Sequence, residues 1–214
     1  MPVIKINPMP PYRVLPHLKM FSIEGEPVPC IVEGKACRRC VQEMCWKTIV
    51  RREGNDPLLE ILVFSGDPNK VKEVIKRIYN VELDYNKILL ASKKYPELHK
   101  IVSKHSGLRP TLSGTMWESL IKTIIMQRIM LKFALRIISR LVKKFGKGGI
   151  FKHESFYDFP TPETLKKARL QGKHWLSAIL NIARWGSEKN SLILNLYPKF
   201  YTLFSLRIIT LIST

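Results

Sequence analysis

The stretch WESLIKTIIMQRIMLKFALRIISRLVKKFG, residues 117–146, decides how the rest of the chain is read. It predicts two helices joined by a short turn at Gln127 to Leu131. In the second helix, Phe133, Ala134, Ile137, Ile138, Leu141, Val142 and Phe145 recur at the three-and-four spacing of one buried stripe. Its other face carries Lys132, Arg136, Arg140, Lys143 and Lys144. A helix with one apolar and one cationic side packs on a core and shows positive charge outward.

The charge of the whole chain points the same way. Its 214 residues hold 36 Lys+Arg against 17 Asp+Glu, a formal net charge of +19. An excess of that size speaks of partners rather than fold, and nucleic acid or an anionic membrane surface suits it. It is also uneven. Residues 1–90 hold 14 basic and 11 acidic side chains (+3), residues 91–150 hold 13 and 2 (+11), and residues 151–214 hold 9 and 4 (+5). The footprint therefore coincides with the helix pair; a basic face kept only for solubility is the alternative. A hydrophobic fraction of 45% argues for a folded globular chain. No apolar run reaches the ~18 residues of a membrane span. Prolines interrupt the N-terminus, MPVIKINPMPPYRV, where a signal peptide would be apolar. A soluble, intracellular monomer with no membrane partner is expected.

The predicted fold class is α+β. An N-terminal domain over 1–90 combines an antiparallel sheet with a helix, and an all-α domain follows over 91–214. Residues 1–16 are Pro-rich and read as extended. PVPCIVEG, CWKTIVRR and LLEILVFSG, between residues 27 and 66, are strand-like runs broken by Gly and Pro, with EGNDP as a hairpin turn. At DPNKVKEVIKRIYN the period becomes helical, with Asp67 as N-cap, Pro68 at the first helical position and Val71, Val74, Ile75 and Ile78 as the buried stripe. Helical stretches around Tyr85 to Ser92 and Pro96 to Ser106 follow. GKGG reads as a break after the helix pair. FPTPETL, residues 159–165, opens another helix, with Thr161 as N-cap and Pro162 at its first position.

GLRP at 107–110, the helix pair and FPTPETL, in this order, resemble the helix-hairpin-helix DNA glycosylases, in the branch of the bacterial inducible 3-methyladenine DNA glycosylase. Trp117 and Glu118 match the branch's aromatic-Glu pair. Ile124, Ile125, Met126, Gln127 and Arg128 match its Ile-Ile-Gly-Gln-Gln-like turn, and Lys132, Phe133 and Ala134 match the opening of its second helix. The resemblance spans roughly residues 10–170. It implies base-excision repair of double-stranded DNA: the duplex is bent, a damaged base is everted and its N-glycosidic bond is cleaved. Eversion costs a few kcal/mol of stacking, so a side chain must fill the gap. By position Gln127 and Arg128 are the candidates, with Lys132, Arg136 and Arg140 positioning the backbone; a polar turn between packed helices is the alternative. Trp117 is read as core packing or as a wall of the base pocket.

Departures from the pattern sharpen the expectation. Met126 stands where the branch has Gly, and Met130 where a Ser or Thr would cap the second helix; such a cap is worth ~1 kcal/mol. The second hairpin with its Gly-x-Gly loop, and the Asp that follows it, are not found. After residue 150 the acids are Glu154, Asp158, Glu163 and Glu188, and none has the spacing of the catalytic Asp. The tail from about 171 is atypical. An incomplete glycosylase domain with little or no turnover is expected, and a non-catalytic DNA-binding remnant or adaptor is the second reading.

Cys30, Cys37, Cys40 and Cys45 are read as buried core, the commoner fate of cysteine. Zinc or an iron–sulfur cluster is the alternative, since Cys37-x-x-Cys40 has ligand spacing. No cofactor is otherwise expected. The histidines show no spacing of a metal pair and are read as structural.

Overall fold

Alternation of inward and outward side chains builds the N-terminal sheet. In the computed structural model, which describes residues 1–127 and 129–167, β4 (Met44–Arg52) and β5 (Leu58–Ser65) form its centre. With β1 (Val3–Ile6), β2 (Ile31–Glu33) and β3 (Ala36–Val41) they make a five-stranded antiparallel sheet in the order β1-β5-β4-β3-β2. Trp46 and Val50 of β4 and Leu59, Ile61 and Val63 of β5 are buried on one face. There they meet Val71, Ile75 and Ile78 of α2 (Pro68–Ile78). As expected, Asp67 caps α2, its side chain accepting from the Asn69 N–H at 2.9 Å, and Pro68 begins the helix.

Three features depart from the sequence reading. The Pro-rich arm contributes a strand, β1 pairing with β5 from Val3↔Leu62 to Ile6↔Leu59. A short helix, α1 (Leu15–Met20), follows it. The Gly-rich break opens a hairpin, β6 (Gly148–Phe151) with β7 (Glu154–Tyr157), whose Phe156 packs on Cys40, Cys45 and Phe64 at the sheet.

The helical part consists of α3 (Tyr85–Ser92), α4 (Pro96–Lys104), α5 (Met116–Met126), α6 (Leu131–Phe145) and α7 (Pro162–Lys167). Ile121 and Ile125 of α5, Ala134, Leu135, Ile138, Leu141 and Val142 of α6, and Leu165 of α7 form a second core. Apart from two pieces, the sheet core draws on residues up to Val81 and the helical core on residues from Trp117 onward. Ile23 and Val28, from the loop after α1, join the helical core, and the β6–β7 hairpin docks on the sheet through Arg38 Nε to the Ser155 carbonyl at 3.0 Å and through Lys47 to Glu154. Among the described residues no helix is long and apolar enough to cross a membrane.

GLRP is a buried clamp. The Arg109 guanidinium lies between the Tyr12 and Tyr85 rings, 5.6 and 5.3 Å from their centroids, and donates to the Met9 and Leu83 carbonyls. Gly107 has φ of 78°, and a Cβ there would stand 2.9 Å from the Pro11 carbonyl carbon, so the close approach of the N-terminal arm requires glycine.

The four cysteines lie in two pairs, Cys30 with Cys37 and Cys40 with Cys45, each joined as a disulfide. Cys37, Cys40 and Cys45 are also buried, which agrees with the core reading. Among the described residues no three His, Cys, Asp or Glu side chains are grouped to hold a metal ion.

Candidate nucleic-acid interface

The approach to α5 is held by α2 and the residues just after it. Arg77 of α2 donates to the Gly114 carbonyl at 2.5 Å, Asn80 to the Pro110 carbonyl at 2.6 Å, and the Leu112 N–H to the Ile78 carbonyl at 2.8 Å. Thr115 then caps α5, its hydroxyl accepting from the Glu118 N–H at 3.1 Å. Glu118, at the third helical position, turns inward. Its carboxylate accepts from Arg39 of β3 at 2.7 Å and from the Gly114 N–H at 3.0 Å, with Lys122 Nζ at 3.5 Å. Burial alone would push this carboxyl's pKa up, but Arg39 and Lys122 hold it below the ordinary carboxylate range. Burial drives the Lys122 ammonium's pKa down, against the pull of Glu118. Sequence reasoning noted Glu118 only as part of a motif. The signal for its cap was local, Thr115-x-x-Glu118 having the spacing of a capping box; the Arg39 partner was not.

α6 shows the two faces expected of it, with one change. Ala134, Leu135, Ile138, Ser139, Leu141 and Val142 are buried. Phe133 is 51% exposed. It lies five positions before Ile138, about 140° round the helix, which places it beside the cations rather than in the stripe. The Arg136 guanidinium stands 6.0 Å from its ring centroid. Lys132, Arg136 and Arg140, four residues apart, are all exposed along one ridge. None of them forms a salt bridge among the described residues, whereas Lys143 is held by Glu26 at 2.7 Å and Lys147 by Glu43 at 2.5 Å. The footprint read from composition is thus narrower in space: Arg109 is inside, Lys122 is half-buried beside Glu118, and Lys143 and Lys147 are paired.

The turn between the helices stands clear of the core. Gln127 is exposed, Ile129 is 41% and Met130 67% exposed. Met130 provides no side-chain cap, as expected, and Gln127 (φ −71°, ψ 134°) and Met130 (φ −60°, ψ 140°) are both extended. Ile129 and Met130, with Phe133, add an apolar tip that charge patterning did not reveal. Arg128 lies outside the described residues, as do the tail from residue 171, His174, Trp175, Trp185 and Glu188. Trp117 is half-buried against the helical core and donates its indole N–H to the Pro160 carbonyl at 2.8 Å, in keeping with core packing.

The described acids after residue 150 are placed elsewhere. Glu154 pairs with Lys47. Asp158 accepts from the N–H groups of Phe159, at 2.7 Å, and Glu43, at 3.2 Å. Glu163 stands in the first turn of α7. What the arrangement offers is therefore a two-helix edge joined to the sheet by a buried ion pair, with an apolar tip and a cationic ridge that has no salt bridge among the described residues.

No family model matches the chain. A Bacillus subtilis (strain 168) protein, provisionally named DNA-3-methyladenine glycosylase YfjP, is 26% identical over 199 residues, covering 88% of this chain and 65% of that protein. Among solved structures, the 3-methyladenine DNA-glycosylase from Archaeoglobus fulgidus superposes with a TM-score of 0.72 at 17% identity, over 86% of this chain and 66% of that one. The structure of MBOgg1 in complex with a low affinity DNA ligand superposes with a TM-score of 0.71 at 18% identity, over 89% of this chain and 65% of that one. The resemblance read from the sequence therefore stands. The chain has the α+β fold of these glycosylases over about two thirds of their length.

Proposed function

We propose that this chain serves base-excision DNA repair, as the duplex-gripping part of a glycosylase that everts alkylated or otherwise damaged bases. The observation that carries this reading is the ridge of Lys132, Arg136 and Arg140. Three exposed cations stand in line with no carboxylate partner among the described residues, beside an exposed turn, on a helix pair fixed to the sheet by a buried ion pair. Cations left unpaired in a row suit the phosphates of a DNA backbone. The projecting turn, with Gln127 and Arg128, is where a side chain would fill the gap left by an everted base, and the apolar tip at Ile129 and Met130 suits contact with unstacked bases. The names of the curated relative and of the glycosylase structures support the same reading.

Glycosidic cleavage needs a carboxylate or a positioned water near the sugar. Glu154 and Asp158 are committed to Lys47 and to backbone N–H groups. That favours, as a second reading, DNA binding without turnover by this chain alone. The test is incubation of the 214-residue protein with methylated duplex DNA, with binding and base release followed separately. Binding without release is the expected result. Release would assign a catalytic group to this chain, and the absence of binding at low salt would remove the proposal.

A further inference from the structure

We propose that Phe133 is a specificity-determining contact: its ring stacks on the base that faces the lesion, whichever base that is, once eversion has left it unpaired. This rests on the duplex-gripping reading above and names what the apolar end of that surface meets.

The ring's place on α6 carries the inference. Phe133 is 51% exposed in the first turn of the helix and belongs to none of the hydrophobic clusters among the described residues. Core packing therefore does not account for it. At about 100° per residue it lies about 20° from Arg140 around the axis and about 60° from Arg136. The Arg136 guanidinium stands 6.0 Å from the ring centroid. Whatever surface the exposed Arg136 and Arg140 meet, the ring meets it too. Along the axis it stands about 10 Å from Arg140, on the side of the α5–α6 turn. Met130, 67% exposed, and Ile129, 41% exposed, continue the apolar surface into that turn. The cations are thus placed for phosphates, and the apolar end lies beside the gap left by the everted base.

The chemistry of that end selects its ligand. A phenyl ring offers nothing to a phosphate oxygen, whereas an unpaired base presents a π-face on which it can stack. Eversion supplies one such base, because the nucleotide opposite the everted one loses its partner. The kink that accompanies eversion parts that base from a neighbour and opens one of its faces. Ile129, Met130 and Phe133 carry no nitrogen or oxygen in their side chains, so they read no pairing edge. Stacking accepts all four bases. A contact of this kind holds the undamaged strand without selecting its base.

The experiment uses the full chain and duplexes with a stable abasic-site analogue opposite A, C, G or T, alongside an intact duplex. The parent is expected to bind the four abasic duplexes within about twofold of one another. Phe133→Ala should weaken all four by about tenfold, the scale of one lost base–aromatic stack, and intact duplex far less. Phe133→Tyr, which keeps a ring, should bind as the parent does, and Phe133→Leu, which keeps only apolar bulk, as Phe133→Ala does. Because no phosphate contact is lost, the salt dependence should be the same in every variant. With 2-aminopurine opposite the abasic site, the saturated complexes of the parent and of Phe133→Tyr should be dimmer than that of Phe133→Ala. A parent that strongly prefers one opposite base, an unweakened Phe133→Ala, equal losses on intact and abasic duplexes, or equal 2-aminopurine brightness in all complexes would overturn the contact and leave the grip standing. Failure of the parent to bind any duplex at low salt would overturn the grip and the contact together.

Discussion

Arg39 of β3 and Glu118 of α5 meet at 2.7 Å with side chains only 5% and 1% exposed. The pair joins the sheet to the first helix of the hairpin, and so sets where the exposed turn points. Removing one partner of a buried pair leaves the other charge uncompensated, at about 3–5 kcal/mol. Glu118→Gln is therefore expected to lower stability by about that amount, a fall in Tm on the order of 10 °C for a chain of this size. Arg39→Met should cost about as much, and the double variant clearly less than the two together. Urea unfolding of all four proteins measures the coupling; additive losses would show that the two residues stabilise the fold separately.

Gly114 sits at the same junction. A Cβ there would stand 2.6 Å from Arg39 Nη2 and 2.6 Å from Val41 Cγ2, and 3.0 Å from Glu118 Oε2. Gly114→Ala is thus expected to disturb the ion pair without altering any charge, at about 1–3 kcal/mol, the usual range for overpacking. Combined with Glu118→Gln its effect should shrink, because the geometry it disturbs has already been lost. The same unfolding series reads this out.

These junctions mark the limit of what was legible in the sequence. The helix pair, the α2 cap at Asp67 and the α7 cap at Thr161 are local patterns and are found where expected. Two hairpins escaped notice for a shared reason. The β3–β4 turn uses Gln42 and Glu43, and the β6–β7 turn Lys152 and His153, all four with positive φ. The Gly or Asn that marks such turns is missing from both tips. Arg39 was invisible as the partner of Glu118 because the two lie 79 residues apart. On α6 the apolar pattern was read one residue too wide, and Phe133 belongs to the surface that the ridge occupies.

His17 makes stability depend on pH. It is buried, its Nδ1 accepts from the Thr111 N–H at 3.1 Å, and its Nε2 has no hydrogen-bond partner among the described residues. Burial, aided by Lys122, lowers its pKa to about 4 from an ordinary 6.5. The unfolded chain therefore binds a proton here more readily than the folded one. Above pH 6.5 both states are neutral and the full stability is present. It is lost as pH falls from 6.5 toward 4, by about 3 kcal/mol at 1.36 kcal/mol per unit. His17→Gln should remove this pH dependence, whatever it does to stability at pH 7. Urea midpoints between pH 4 and 7 for both proteins test it; parallel curves would place the titration elsewhere.

The ridge predicts an electrostatic signature. Arg136→Glu and Arg140→Glu should each weaken binding to any duplex, damaged or intact, and make the salt dependence shallower by about one phosphate contact. Both positions are exposed, so stability should stay within about 0.5 kcal/mol of the parent. Fluorescence anisotropy over a range of salt concentrations separates this from unfolding. An unchanged slope would mean that the ridge faces solvent rather than DNA.

The turn predicts a different signature. Gln127 and Ile129, at the end of α5 and in the turn after it, are exposed. Filling the gap left by an everted base offsets part of the few kcal/mol of lost stacking, but only where a base is everted. Arg128→Ala should therefore weaken binding to a duplex carrying an abasic or alkylated site by about tenfold, and to intact duplex much less. The contrast with Arg140→Glu is the decisive comparison, since a phosphate contact acts on every duplex and a wedge acts on damaged ones. Competition between damaged and intact duplexes for each variant measures it directly; equal losses for Arg128→Ala on both would make position 128 one more backbone contact.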